Sequence, residues 1–421
     1  CMFMNIWIIN NYSTPPSYGG IVRHYYFSKY LTKMGHNVRI ITSSQIHNTQ
    51  VSMTESNQLI TEKKIDDVTY TFVRTLSYKK NNWRRIYNMV DFSINCVRVM
   101  KKLLKTGENP DIIYTSSPSP FCCYTAMRFA KKRNIPTVFE VRDLWPLSIT
   151  EYNQRISKNN LAIKALYAME KQLYKKADRI IFTMAGGKDY IRDKGWENQI
   201  SIDKITQVNN GIDLIGFQRN LRHHKLNDPE LLEQKKFKII FTGSIRSAYK
   251  LNIILEVAKL CQAKLPFIKF LIYGDGTEKD MLIKLCKENN ISNVSFKRRV
   301  EKKYIPFILS NANLTLLHSK NVDINKYGMS QNKLFEYLAA AKPVLVTVKS
   351  RYSLVEENNC GIQCQDQEPE TIFNAIQSLV KLPADEYEEM SNRAHNVAQE
   401  YDYPILTEKL LAIFNELLNN P

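Results

Sequence analysis

The sequence predicts two successive α/β domains, each a parallel β-sheet wound with helices on both faces. Three observations carry this. The chain has 421 residues, too many for one ordinary domain. Short β-branched and aromatic runs alternate with longer amphipathic patterns in both halves. The alternation breaks once, over residues 214–236, a polar, charge-rich stretch containing Asn227-Asp228-Pro229 that reads as inter-domain linker plus domain entry.

In the first half, strands are predicted at 5–10, 37–42, 69–74, 111–116, 137–141 and 179–183. Several are unbroken apolar runs, as in central strands covered on both faces. Helical patterns lie between them at 21–34, 83–105, 121–132 and 161–176. After the break, strands are predicted at 238–242, 269–273, 293–296, 313–317 and 344–348. The accompanying helices are 251–263, 278–288, 303–309, 333–341 and 369–379. Leu406, Leu410, Ile413 and Leu417 mark a last amphipathic helix over 404–418. The predicted domains are 1–213 and 214–403.

Composition narrows the function classes. With 44% hydrophobic and 24% charged residues, the chain reads as globular. No apolar run approaches the ~20 residues a membrane-spanning helix needs. Residues 2–10 read as a strand rather than a signal peptide, so a cytoplasmic protein is expected. The eight cysteines show no Cys-x-x-Cys spacing and read as buried free thiols, not metal ligands. The net charge of +18 enriches anionic partners near the surface. Anionic membrane and phosphorylated substrate both fit that field. No nucleic-acid module is visible, so nucleic acid is not expected.

In open α/β sheets, ligands bind beyond the carboxyl ends of the strands. After the first strand, Gly19 and Gly20 precede a helix predicted to start at Ile21. They suit either an anion approaching the backbone or a tight turn with no ligand. After strand 238–242, Gly243 is followed by Arg246 and Lys250. A glycine and two cations suit a diphosphate, or else form a solvated basic loop. Gly274-Asp275-Gly276 lacks the full dinucleotide fingerprint and reads as turn chemistry. In Tyr327-Gly328-Met329-Ser330-Gln331-Asn332-Lys333-Leu334-Phe335-Glu336-Tyr337, Ser330 reads as a helix N-cap. The free N–H groups there suit phosphate, and Glu336 one turn on suits the two hydroxyls of a ribose. An ordinary amphipathic helix with Glu336 in solvent fits the same pattern. Asp143 follows strand 137–141 in Glu140-Val141-Arg142-Asp143-Leu144-Trp145-Pro146, either as acceptor of an acceptor hydroxyl's proton or as a cap of the next segment.

Together these segments resemble the GT4-type retaining glycosyltransferases of the GT-B fold, in the bacterial branch that builds capsule, O-antigen and related surface polysaccharides. The resemblance covers nearly the whole chain. It rests on Pro16-Ser17-Tyr18-Gly19-Gly20, Arg142-Asp143-Leu144-Trp145-Pro146, Asn209-Asn210-Gly211-Ile212-Asp213, Gly243 with Lys250, and Lys333-Leu334-Phe335-Glu336-Tyr337-Leu338-Ala339 ending at Lys342-Pro343-Val344. It implies two Rossmann-like domains facing across a cleft, acceptor on the first and nucleotide-sugar on the second, with helix 404–421 packed back on the first. It also implies roles at matching positions: Lys250 and Arg246 on the donor diphosphate, Glu336 on the ribose, the Leu334 backbone on phosphate, and Val300 at the base. Asn210–Asp213 would form the inter-domain hinge. Transfer with retention, by front-face attack assisted by the leaving phosphate, is the family's implied course.

Two departures stand out. Many members carry a glutamate where this chain has Gly328, and a histidine where it has Arg142. Ser330, Gln331 or Lys333 then stands in for the missing carboxylate at the donor sugar. No Asp-x-Asp occurs, so metal-independent transfer is expected, with no metal or other cofactor and with Arg246 and Lys250 neutralising the diphosphate. UDP is the expected nucleotide.

Residues 83–105 read as a basic amphipathic helix that suits an anionic membrane, or an ordinary packed helix with a solvated basic face. A polyprenyl-diphosphate-linked acceptor and a peripheral position at the inner membrane face follow from the first reading. A nucleotide-sugar 2-epimerase on the same fold is the alternative enzyme. A non-enzymatic basic binder of membrane or nucleic acid is the alternative outside catalysis.

Overall fold

A computed structural model describes residues 3–47, 49, 51–55, 58–78, 83–153, 156–157 and 159–419. The chain divides into two compact units, one of residues 1–209 with 403–421 and one of residues 210–402.

The first unit is built on an eight-stranded sheet. Its strands are β1 (Asn5–Ile9), β2 (Asn37–Ser43), β3 (Ile60–Ile65), β4 (Val68–Val73), β5 (Ile112–Ser116), β6 (Thr137–Val141), β7 (Arg179–Phe182) and β8 (Ile205–Gln207). Their order is β3-β4-β2-β1-β5-β6-β7-β8. All neighbours are parallel except β3, which pairs antiparallel with β4. The order reverses direction between β1 and β5, and there Asn10 Nδ2 donates to the carbonyls of Ser116 and Ser117 at 3.0 and 3.1 Å. The final helix, Tyr403–Asn419, packs on the helix Arg23–Lys33. Tyr403 stacks on Tyr26 with centroids 4.5 Å apart.

The second unit has six parallel strands: β9 (Phe237–Thr242), β10 (Ile268–Tyr273), β11 (Val294–Lys297), β12 (Leu314–Leu317), β13 (Val344–Val346) and β14 (Gly361–Gln363). Their order, β11-β10-β9-β12-β13-β14, turns back between β9 and β12. One apolar cluster covers one face of the sheet, with Phe241, Phe270 and Ile272 at its centre. A second, with Ile240, Leu271, Phe335 and Tyr337, covers the other.

Several elements differ from expectation. Residues 214–236 belong to the second unit as its entry, with no linker part. Leu214–His223 is a helix whose Phe217 is buried in the second cluster. Asp228 caps Pro229–Leu232 by accepting from the N–H groups of Glu230 and Leu231, and takes Lys297 at 2.8 Å. The first helix begins at Arg23, not Ile21, because Ile21 is spent on a parallel bridge to Ser13. The first unit ends at residue 209, four positions before the expected boundary. Arg23 holds the carbonyls of Val208 and Asn209, while Asn210 bonds to Ser330 in the second unit.

Candidate active site

At the carboxyl end of the second sheet, four chain segments meet. β9 ends at Thr242, whose N–H and hydroxyl both meet the Tyr337 hydroxyl, at 3.0 and 3.3 Å. The chain then passes Gly243 at φ 146°, in the region that favours glycine. Its N–H donates to Tyr273 at 3.0 Å, and that of Ile245 donates to Asp275 at 2.9 Å. A Cβ on Gly274 would lie 1.8 Å from the Gly243 carbonyl oxygen, and one on Gly276 would lie 2.1 Å from that of Ile245. The two glycines expected to serve only a turn therefore make room for the loop beside them.

Arg246 and Lys250 both stand exposed on this loop, flanking the short 3-10 turn Ser247–Tyr249. Lys250 is left-handed at φ 45°. Its carbonyl lies 3.1 Å from His318 Nε2 at the end of β12, while His318 Nδ1 pairs with the Thr347 hydroxyl at 2.5 Å. Burial, with the Lys333 charge nearby, pushes His318 down to about 4, so it serves as a neutral brace for the loop. The N–H of Lys320 donates to Ala248 at 2.8 Å, tying the β12 loop to the same turn.

The helix Asn332–Ala339 closes the cluster. Its face of Leu334, Phe335, Tyr337 and Leu338 is buried. That packing fixes the helix and leaves Lys333 and Glu336 on the side of the loops. Lys333 Nζ lies 4.2 Å from the ring centroids of both Phe241 and Tyr249. Glu336, one turn later, is 16% exposed and meets Lys302 Nζ at 3.5 Å. Lys250 and Glu336 thus lie on neighbouring segments, joined through Tyr249 and Lys333. Val300, in the loop after β11, packs half-buried against the second cluster.

One expectation about the helix start changes. Ser330 does not cap it: the helix starts at Asn332, with Gln331 as an N-cap whose side chain makes no capping bond. The Ser330 hydroxyl instead accepts from the Asn210 N–H at 3.1 Å, and its carbonyl from Asn210 Nδ2 at 2.6 Å. The Leu334 N–H donates to the Gln331 carbonyl at 3.1 Å.

In the first unit, Gly19 and Gly20 have φ of 68° and 78°. The Thr14 hydroxyl donates to the Gly19 carbonyl, and the Thr14 N–H to Ile21 at 3.1 Å, so both glycines sit in a closed turn. Asp143 follows β6 and accepts from the Ser148 hydroxyl at 3.2 Å. Crowding by protein atoms raises its carboxyl, with Ser148 and Arg142 opposing. Its side chain nonetheless keeps open surface, so solvent limits that rise.

A buried centre beside it went unassigned in the reading of motifs. Glu140, wholly buried, accepts from Arg23 Nε at 2.7 Å and from the Ser116 hydroxyl at 2.7 Å, and meets His24 Nε2 at 3.1 Å. The Tyr114 hydroxyl also donates to it. Burial alone would raise this carboxyl, but Arg23, His24 and Arg142 together hold it well below the usual range. The available signal was a lone glutamate inside the apolar strand Thr137–Val141.

Comparison with known proteins follows the same division. Residues 18–215 match the family described as Glycosyltransferase Family 4, and residues 222–397 match Glycosyl transferases group 1. A Bacillus subtilis (strain 168) protein, TuaH, named as a teichuronic acid biosynthesis glycosyltransferase, is 22% identical over 337 residues, covering 74% of this chain and 80% of that protein. Among solved structures, sucrose-phosphate synthase from Thermosynechococcus elongatus superposes with a TM-score of 0.73 at 14% identity, covering 99% of this chain and 100% of that one. An E. coli trehalose-6-phosphate structure bound with UDP-2-fluoro glucose gives 0.70 at 12% identity, with 98% and 99% covered. A Rickettsia africae glycosyltransferase gives 0.66 at 16%, with both chains fully covered.

Proposed function

Because the chain is a GT-B-fold glycosyltransferase related to family 4, we propose that it moves a hexose from a UDP-sugar to a saccharide on a polyprenyl diphosphate, in building a bacterial surface polysaccharide. The observation that carries this reading is the meeting of the loop 243–250 with the helix Asn332–Ala339. Gly243 lets the diphosphate approach the backbone, and Arg246 and Lys250 neutralise it. Charge gathers on the departing diphosphate, so these cations act most strongly in the transition state, without a metal. Glu336 leaves Lys302 to accept the ribose hydroxyls, Val300 borders the base, and Ser330 and Leu334 line the phosphate side. Gly19 and Gly20 offer backbone to the donor, and Asp143 takes the proton of the acceptor hydroxyl. Transfer retains the anomeric configuration. The UDP-2-fluoro glucose bound to the E. coli relative supports the choice of UDP, and the name of TuaH supports a cell-surface polymer.

The helix Trp83–Lys105 supports a peripheral membrane position. No helix of the described residues is long and apolar enough to cross a membrane. This helix buries Met89, Phe92, Cys96 and Val99, yet leaves Ile86, Tyr87, Val90 and Ile94 38–59% exposed. Arg84, Arg98, Lys101 and Lys102 are exposed on the same helix. Such a face inserts shallowly into an anionic bilayer, each basic residue adding about 1 kcal/mol.

Thermal-shift titration against UDP, GDP and several UDP-sugars tests the donor. A ligand at 100 times its Kd adds about 2.7 kcal/mol of stability. Stabilisation by UDP and UDP-sugars is expected, and the same melting curve with every nucleotide refutes the assignment.

A further inference from the structure

Lys333 enters the donor site in an unusual state. Its Nζ has no hydrogen-bond partner and no solvent contact. It lies between the faces of Phe241 and Tyr249, so close to the Gly243 backbone that a Cβ there would lie 2.6 Å away. Ring faces attract a cation but offer it no lone pair, and a shielded ammonium without an acceptor is costly. The charged and titratable groups around it do not supply one. Glu336, on the same helix, is engaged by Lys302. The strand end of β12 brings His318, whose nitrogens are spent on Thr347 and the Lys250 carbonyl. The loop after β9 brings the Tyr249 phenol, with Arg246 and Lys250 adding positive charge. Gly328, on the approach to the same helix, brings no side chain. Burial accordingly pushes the Lys333 amine down to about 7, with Glu336 opposing only in part.

We propose that Lys333 receives an anionic group of the donor directly, and that its amine takes up a proton from solvent as that group binds. The inference rests on the donor-site reading above and adds a specificity element to it. The amine becomes an ammonium, and no bond of the donor is made or broken. Two donor groups supply such an anion: the diphosphate of any nucleotide-sugar, and the carboxylate of a uronic acid sugar. Arg246 and Lys250 stand exposed on the outer side of the loop, whereas Lys333 lies inside it.

The test is calorimetric titration of the full chain with UDP-glucose and with UDP-glucuronate, in buffers of different ionisation enthalpy. With a free amine near 7, uptake of about 0.9 proton per site is expected at pH 8 and about 0.1 at pH 6. Uptake with both ligands identifies the diphosphate as the partner, and uptake with UDP-glucuronate alone identifies the sugar carboxylate. Lys333→Met removes the uptake and weakens the responsible ligand at least about tenfold at pH 6. Binding without uptake in the unaltered protein, or uptake that persists in Lys333→Met, overturns the proposal and leaves the donor site standing. Binding of neither ligand removes the donor-site reading, and this inference with it.

Discussion

Gly274→Ala isolates the architecture of the donor loop from its chemistry, since Gly274 carries no functional group. A methyl there would lie 1.8 Å from the Gly243 carbonyl oxygen and 3.0 Å from the Gly243 carbonyl carbon. The obstacle is backbone on a strand end, so no side-chain rotation relieves it. The loop must retreat by more than about 1 Å to restore ordinary contact. That retreat strains the Gly243-to-Tyr273 and Ile245-to-Asp275 bonds, at 3.0 and 2.9 Å. Overpacking costs about 1–3 kcal/mol, and each lost hydrogen bond about 1 kcal/mol. A destabilisation of about 3 kcal/mol is the central expectation, which lowers the Tm of a unit this size by roughly 6–12 °C. The same shift moves Arg246, Lys250 and Tyr249, so UDP affinity falls by at least about tenfold. Differential scanning calorimetry and UDP titration read the two effects. A variant that melts and binds as the unaltered protein does refutes the close approach of loop and glycine.

Other perturbations test other parts. Glu140→Gln leaves Arg23 buried beside a neutral partner, and urea denaturation should show a loss of about 3–5 kcal/mol. Glu170, buried between the hydroxyls of Tyr174 and Tyr190 at 2.8 and 2.9 Å, is pushed up to about 8 by burial. Its raised value stabilises fully below about pH 4.5, and that contribution is lost as pH rises through 8. Glu170→Gln should therefore flatten the fall in stability between pH 5 and 8, which amounts to a few kcal/mol by the linkage relation. Replacing Ile86 and Ile94 with glutamate should abolish co-sedimentation with phosphatidylglycerol vesicles while the melting curve stays within about 1 °C.

Much of the fold was legible because buried parallel strands write themselves as apolar runs. β6 and the helices Trp83–Lys105 and Leu161–Lys176 fall where periodicity puts them. β3 was missed because Ile60–Ile65 is an edge strand with Glu62, Lys63 and Lys64 facing solvent. β8 and β14 are three residues each, too short to show a period. The helix Ala384–Glu400 was missed because its inward face shows only Ala394, Val397 and Ala398 as buried, beneath a charged first half. Gly243, Arg246, Lys250, Lys333 and Glu336 lie after a strand end and at a helix start, where the local pattern puts them. The roles of Ser330 and Glu140 were not legible in the sequence. One depends on Asn210, 120 positions away, and the other on Arg23, 117 positions away. No local spacing encodes such pairings.

In the proposed function, the loop after β9 and the helix Asn332–Ala339 grip the diphosphate and ribose of a nucleotide-sugar. Calorimetric titration of UDP into the unaltered protein, Lys250→Ala and Glu336→Ala measures that grip. Each contact is a charge-assisted bond of about 1.5–3 kcal/mol, so each variant should bind at least about tenfold more weakly while melting as before. Equal affinity across all three proteins rules out this grip.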